Sequence, residues 1–87
     1  MVNIVFTRII RVSEGQLEFN FRKLSGEIQN FHADVTDPRG NRIQFSINQN
    51  IHGAWHLTGT LLPLWIVNAE QVIGQTIEEE MALINTH

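Results

Sequence analysis

His52 and His56 stand four residues apart in the segment NQNIHGAWHLTG, residues 48 to 59. On a helix that spacing puts two imidazoles on one face, where they can hold a divalent metal. The surroundings do not support a helix. Gly53 separates the pair and the flanks alternate apolar with polar, so the segment reads as a turn followed by a strand. Four residues along a strand separate two side chains by about 13 Å, too far for one ion. No metal and no other cofactor is expected.

A second arrangement comes from cross-strand pairing rather than local spacing. The row Ile10, Glu18, His32, Ser46 and Thr58 contains, in contact order, the orienter, base and nucleophile of a hydrolytic triad. A sheet surface supplies neither a backbone oxyanion hole nor a cleft that excludes water. A polar ladder is the plainer reading, and a hydrolytic or small-molecule site centred on His32 is the alternative. GxGxxG, GxxxxGK, HExxH and GxSxG are all absent. Trp55 and Trp65 read as core residues, although a buried indole nitrogen still needs a partner.

The elements that must position these residues are marked by turns. Four times the chain carries a five-residue stretch with Gly in fourth place: VSEGQ (12 to 16), KLSGE (23 to 27), DPRGN (37 to 41) and NIHGA (50 to 54). Each predicts a three-residue hairpin loop, a type I turn followed by a left-handed residue that glycine adopts without strain. DPRGN is the clearest, with Asp37 in the first turn position and Pro38 in the second. These loops predict strands over about 2–12, 16–23, 27–37, 41–49 and 54–60. They also fix registers: Val12 with Gln16, Phe19 with Phe31, Leu17 with Ala33, Val35 with Ile43, Ala33 with Phe45, Ile47 with Leu57 and Gln49 with Trp55. The large aromatics of the second to fifth strands then share one face.

After Gly59 the apolar run TLLPLWIV leads to Asn68, an expected helix N-cap with Gln71 in the capping-box place and Val67 and Val72 spaced as a staple. Val72, Ile73, Ile77, Met81 and Ile84 recur at helical spacing, which predicts a helix over about 68–85. An earlier start, with Pro63 in the first turn and Thr60 or Leu62 as cap, is the alternative. Gly74 either weakens this helix by about 1 kcal/mol or marks a close approach to the sheet. The fold class is α+β: a two-layer domain with a five-stranded antiparallel meander, order 1-2-3-4-5, and one C-terminal helix packed on one face.

Composition narrows the functions. With 87 residues, 43% hydrophobic and 17% charged, the chain has the make-up of one globular domain. A net charge of -3 and six scattered Lys plus Arg give no basic stripe, so nucleic acid is not an expected partner. There is no cysteine, and no apolar run approaches the roughly 20 residues of a membrane span. The start MVNIVFTRIIRV is broken by Arg8 and Arg11, so it reads as a strand of a cytoplasmic protein rather than a signal segment.

Function then falls to the uncovered face. Beside the His32 row, one row reads Arg8, Asn20, Asn30, Asn48, His56 and another Val12, Gln16, Asp34, Gln44, Thr60. Asn20, Asn30, His32, Gln44, Ser46, Asn48 and His56 are the candidate binding residues, suited to a polar ligand or partner. Ile4, Phe6, Leu24 and Ile28 form an apolar patch at one end, an expected interface with a second copy or a protein partner. A bulge in the first strand would instead turn Ile4 and Phe6 inward. Glu78, Glu79 and Glu80 form a solvated face or an acidic contact surface. The expected function is a non-enzymatic interaction or binding module, alone or as a homodimer.

Overall fold

Two of the four glycine turns carry a side-chain acceptor in their first position, and these two form the predicted loop. Asp37 Oδ1 accepts the N–H of Arg39 (2.9 Å) and of Asn41 (2.8 Å), and the Gly40 N–H donates to the Asp37 carbonyl. Asn50 Oδ1 accepts the N–H of His52 and of Ala54, both at 2.9 Å, and the Gly53 N–H donates to the Asn50 carbonyl. Gly40 and Gly53 take φ of 90° and 86°, the left-handed values such a loop requires.

The computed structural model describes residues 4–24 and 29–85. Its elements are β1 (Val5–Val12), β2 (Gly15–Lys23), β3 (Asn30–Thr36), β4 (Arg42–Gln49), β5 (Trp55–Thr58), α1 (Leu64–Val67) and α2 (Glu70–Asn85). The strands form an antiparallel meander in the order β1-β2-β3-β4-β5 with α2 packed on it, as the turn pattern predicts. The third and fourth hairpins hold the expected registers, Val35 with Ile43, Ala33 with Phe45, Ile47 with Leu57 and Gln49 with Trp55.

The first hairpin differs. Val12 pairs with Gly15, not Gln16, so Ser13 and Glu14 alone make the turn. Val12 offers no acceptor to hold a three-residue loop open, and the shorter loop closes instead. The slip is one residue, which exchanges the faces of the whole strand. Phe6, Arg8, Ile10 and Val12 turn toward the helix, while Val5, Thr7, Ile9 and Arg11 turn away. Ile10 is buried, and Phe6 stacks on Phe21 at 5.0 Å. Two members, Ile4 and Phe6, therefore leave the expected patch of Ile4, Phe6, Leu24 and Ile28. Ile4 and Phe6 lie on the core side, and Leu24 is half-buried.

The second hairpin is longer than the KLSGE loop predicts. Phe19 pairs with Val35, Phe21 with Ala33 and Lys23 with Phe31, and the Leu24 N–H donates to the Asn30 carbonyl at 2.8 Å. Residues 25–28, Ile28 among them, lie outside the described residues. Because this shift is even, β2 keeps its expected faces.

The core is the aromatic face sealed by the helices: Phe19, Phe21, Phe31, Ala33, Val35, Phe45 and Ile47 meet Ile66, Ala69, Ile73 and Ile77. Helix begins earlier than Asn68. Pro63 stands in the N-cap place of α1, seating Ile66 in the core, and Asn68 takes right-handed helical angles at its C-cap instead of capping α2. Val72 and Ile84, expected on the buried stripe, are exposed, while Ala69 and Thr76 are buried. The Thr76 hydroxyl is satisfied by the Val72 carbonyl at 2.8 Å.

Gly74 is a close approach. A Cβ at this position would overlap Trp55 at Cγ and Cδ1, so the ring of β5 lies directly against the helix backbone. Gly74→Ala should destabilise the fold by up to about 2 kcal/mol, the overpacking of about 1–3 kcal/mol less the roughly 1 kcal/mol gained in helix propensity. Urea unfolding midpoints check this. A more stable variant would show that α2 stands off Trp55.

Candidate binding face

The face away from α2 is built from even-numbered residues of β2 to β5 and odd-numbered residues of β1. Its central row reads Val5, Arg22, His32, Ser46 and Thr58, each directly opposite the next. Neighbours in such a row lie about 5 Å apart. Beside it runs Thr7, Asn20, Asp34 and Gln44, and on the other side Asn30, Asn48 and His56. The seven candidate residues all lie on this face; those of β3, β4 and β5 keep their expected neighbours, while Asn20 stands beside Thr7 and Asp34 instead of Arg8 and Asn30.

His32 and Ser46 are cross-strand neighbours, as expected. Glu18 is not beside His32. It faces Ile9 across the β1–β2 ladder, and four residues of β2, about 13 Å, separate it from Arg22, the residue that does face His32. The expected row Ile10, Glu18, His32 fails at both joints, so the hydrolytic arrangement lacks its orienting carboxylate. Arg8 also leaves this face. It points to the helix side, where its guanidinium meets Glu80 at 3.1 Å and Glu79 at 3.3 Å. Glu78 accepts a hydrogen bond from Gln49. All three acidic side chains of the Glu78, Glu79 and Glu80 run thus bond to the sheet.

A hydrogen-bond chain orders the second row. Thr7 Oγ1 donates to Asn20 Oδ1 (2.6 Å), Asn20 Nδ2 to Asp34 Oδ1 (2.9 Å), and Arg42 Nη2 to Asp34 Oδ2 (3.2 Å). Partial burial pushes the Asp34 carboxyl upward. Hydrogen bonds from Asn20 and Arg42, with the charges of Arg42 and His32, outweigh that and hold it below its ordinary 3.8. Both Asp34 oxygens are committed, so the carboxylate nearest the central row is already occupied. Asn20, Arg22, His32, Asp34 and Arg42 line a shallow cavity of about 280 Å³.

The two histidines of the fourth hairpin stand apart. His52 belongs to the Asn50–Gly53 loop, and His56 lies on β5 opposite Asn48, with its Nε2 3.2 Å from Asn50 Nδ2. Among the described residues, no three His, Cys, Asp or Glu side chains are grouped so that they could hold a metal. Nor is any described helix long and apolar enough to cross a membrane. Trp55 Nε1 is buried without a hydrogen-bond partner, a cost the close approach to Gly74 imposes.

Arg22 joins the candidate residues only through the observed registers, whereas Asp34 and Thr58 stand in the expected rows without being singled out. The presence of Asp37 and Asn50, and the lack of any such acceptor at Val12 and Lys23, is the sequence signal that separates the hairpins that keep the expected loop from those that do not. Compared with protein-family models, curated proteins and solved structures, the chain matches none.

Because Asp34 is more acidic in the folded chain than in the unfolded one, its ionised form adds stability that is complete above the unfolded value. That stability is lost as the pH falls through about 4 and on through the lower folded value. Asp34→Asn cannot titrate. Its unfolding free energy should fall less steeply than the parent's below pH 5, measured by urea denaturation across a pH series, and equal slopes would refute the role given to Asp34.

Proposed function

We propose that this chain is a non-enzymatic binding module that docks a protein partner on its open sheet face, with a carboxylate of that partner seated on the Arg22, His32, Ser46 and Thr58 row. The observation that supports this is the chemistry of the row. Four adjacent side chains carry hydrogen-bond donors, and Arg22 has no ion-pair partner among the described residues. Asp34, which would otherwise neutralise them, is taken by Asn20 and Arg42. An anionic group meeting a guanidinium, an imidazole and two hydroxyls gains charge-assisted hydrogen bonds, which are about twice as strong as neutral ones. The Asn and Gln side chains on either side supply the rim on which a polypeptide surface can rest.

The absence of an orienting carboxylate at His32 and the shallow form of the cavity favour binding over turnover. Titration of the ¹⁵N-labelled chain with a glutamate-rich peptide should give saturable shifts centred on Arg22, His32, Ser46 and Thr58. Arg22→Gln should weaken the affinity about tenfold, the value of one hydrogen bond to a charged group. Glu18→Gln, on the same face but away from the row, should leave it unchanged. Shifts spread evenly over the surface, or insensitive to Arg22→Gln, would overturn the reading.

A further inference from the structure

The sheet has two edges, and the molecule treats them differently. β5 is short, Trp55–Thr58, and its outward Leu57 N–H is taken by Glu70 Oε2 of α2 at 3.0 Å. A helix carboxylate thus blocks that edge. β1 is twice as long, Val5–Val12, with no proline or bulge along it, two of the devices by which proteins prevent strand addition, and its inward-pointing charge, Arg8, is paired with Glu79 and Glu80. The Lys23 N–H donates to the Ile4 carbonyl, so in the alternating antiparallel ladder the even residues of β1 bond to β2. The N–H and C=O groups of Val5, Thr7, Ile9 and Arg11 therefore point outward. Val5 and Ile9 are also 65% and 64% exposed, the two large apolar side chains that β1 leaves in water.

We infer that β1 is a self-association edge: two copies pair their β1 strands antiparallel about a two-fold axis through Thr7, forming one continuous ten-stranded sheet. The occupant is a second copy because the strand is complementary to itself in that register. A two-fold axis normal to the sheet pairs outward residues with outward residues, and three centres fit within the strand. An axis at Arg8 sets the guanidinium against its own mate, and one at Ile9 leaves Val5 facing the partner's Ser13. An axis at Thr7 places Val5 against the partner's Ile9 on the open face, twice. On the helix side it places Ile4 against the partner's Ile10, and Phe6 against the partner's Arg8.

That last pair is electrostatically prepared. Arg8 is held and neutralised by Glu79 and Glu80, so its planar group can lie against an aromatic ring without bringing an uncompensated charge into the interface. Pairing Val5, Thr7 and Ile9 with the partner's Ile9, Thr7 and Val5 makes about six backbone hydrogen bonds. The inference stands on the edge and not on the Arg22 row, so it survives if the anion reading fails.

Sedimentation equilibrium of the full chain should give about 20 kDa, twice the 10.0 kDa of one chain. Ile9→Lys and Thr7→Pro should each reduce this to one chain with an unchanged far-ultraviolet spectrum. The Thr7 N–H points away from β2, so the proline removes no backbone bond within the fold, and only the exposed hydroxyl bond to Asn20 is lost. The chain has no cysteine, so Thr7→Cys should oxidise to a single disulfide-linked dimer, at the roughly 5.5 Å Cα separation of such a pair. Arg11→Cys, far from the axis, should not cross-link. A parent mass of one chain at submillimolar concentration overturns the inference. So does a dimer that persists in both edge variants, or equal cross-linking at Thr7 and Arg11. Glutamate-peptide shifts retained in monomeric Ile9→Lys would separate this result from the fate of the binding row.

Discussion

The turn between β1 and β2 is the constraint on which the other features rest. With Ser13 and Glu14 alone in the loop, Val12 pairs with Gly15 and the even residues of β1 face the helix. With one more residue in the loop, the odd set would face it. Sterics and burial decide between the two. The even set brings Phe6, Ile10 and Val12 to the core, against Val5 and Ile9 for the odd set. One extra buried apolar side chain is worth about 1.5–3 kcal/mol, a sizeable fraction of the stability of a domain of this length. The even set also brings Arg8 within reach of Glu79 and Glu80, whereas the odd set would set Thr7 or Ile9, one residue away, in that place.

The same turn shapes both surfaces open to partners. It sets Thr7 beside Asn20, which starts the hydrogen-bond chain that fixes Asp34. It places Val5 at the head of the Arg22 and His32 row and leaves Ile9 beside it on the free edge. The open face and the edge therefore share β1. At the opposite margin the contact of Trp55 with Gly74 and the bond from Leu57 to Glu70 anchor α2 over β5, so the helix spans the sheet from the closed edge to the open one.

Much of this fold is legible in the sequence because alternation and glycine turns are local signals. DPRGN and NIHGA carry Asp37 and Asn50, whose side chains accept two backbone N–H groups each, and their registers follow from the residues alone. VSEGQ and KLSGE share the glycine but lack that acceptor, and at VSEGQ the loop length is the one that buries Phe6, Ile10 and Val12. Asn68 has the chemistry of a helix cap, yet Ile66 draws the chain into helix before it. The candidate face was legible as a set of residues, because the even register shift of β2 against β3 preserved it. Its rows were legible across β3, β4 and β5 but not across β2, since adjacency there depends on a pairing distance that the KLSGE segment does not encode. Arg22 beside His32 is the consequence that matters most.

The β1–β2 register can be read directly from through-space contacts between α-protons, which are strongest across the non-hydrogen-bonded pairs of an antiparallel ladder. In the labelled chain, a strong contact should join the Hα of Ile9 to that of Glu18, and another should join Thr7 to Asn20. Strong contacts from Ile9 to Phe19 and from Thr7 to Phe21 would instead mean that Gly15 belongs to the loop and that β1 faces the other way. The placement of Phe6, Arg8, Val5 and Ile9 described above would then be wrong.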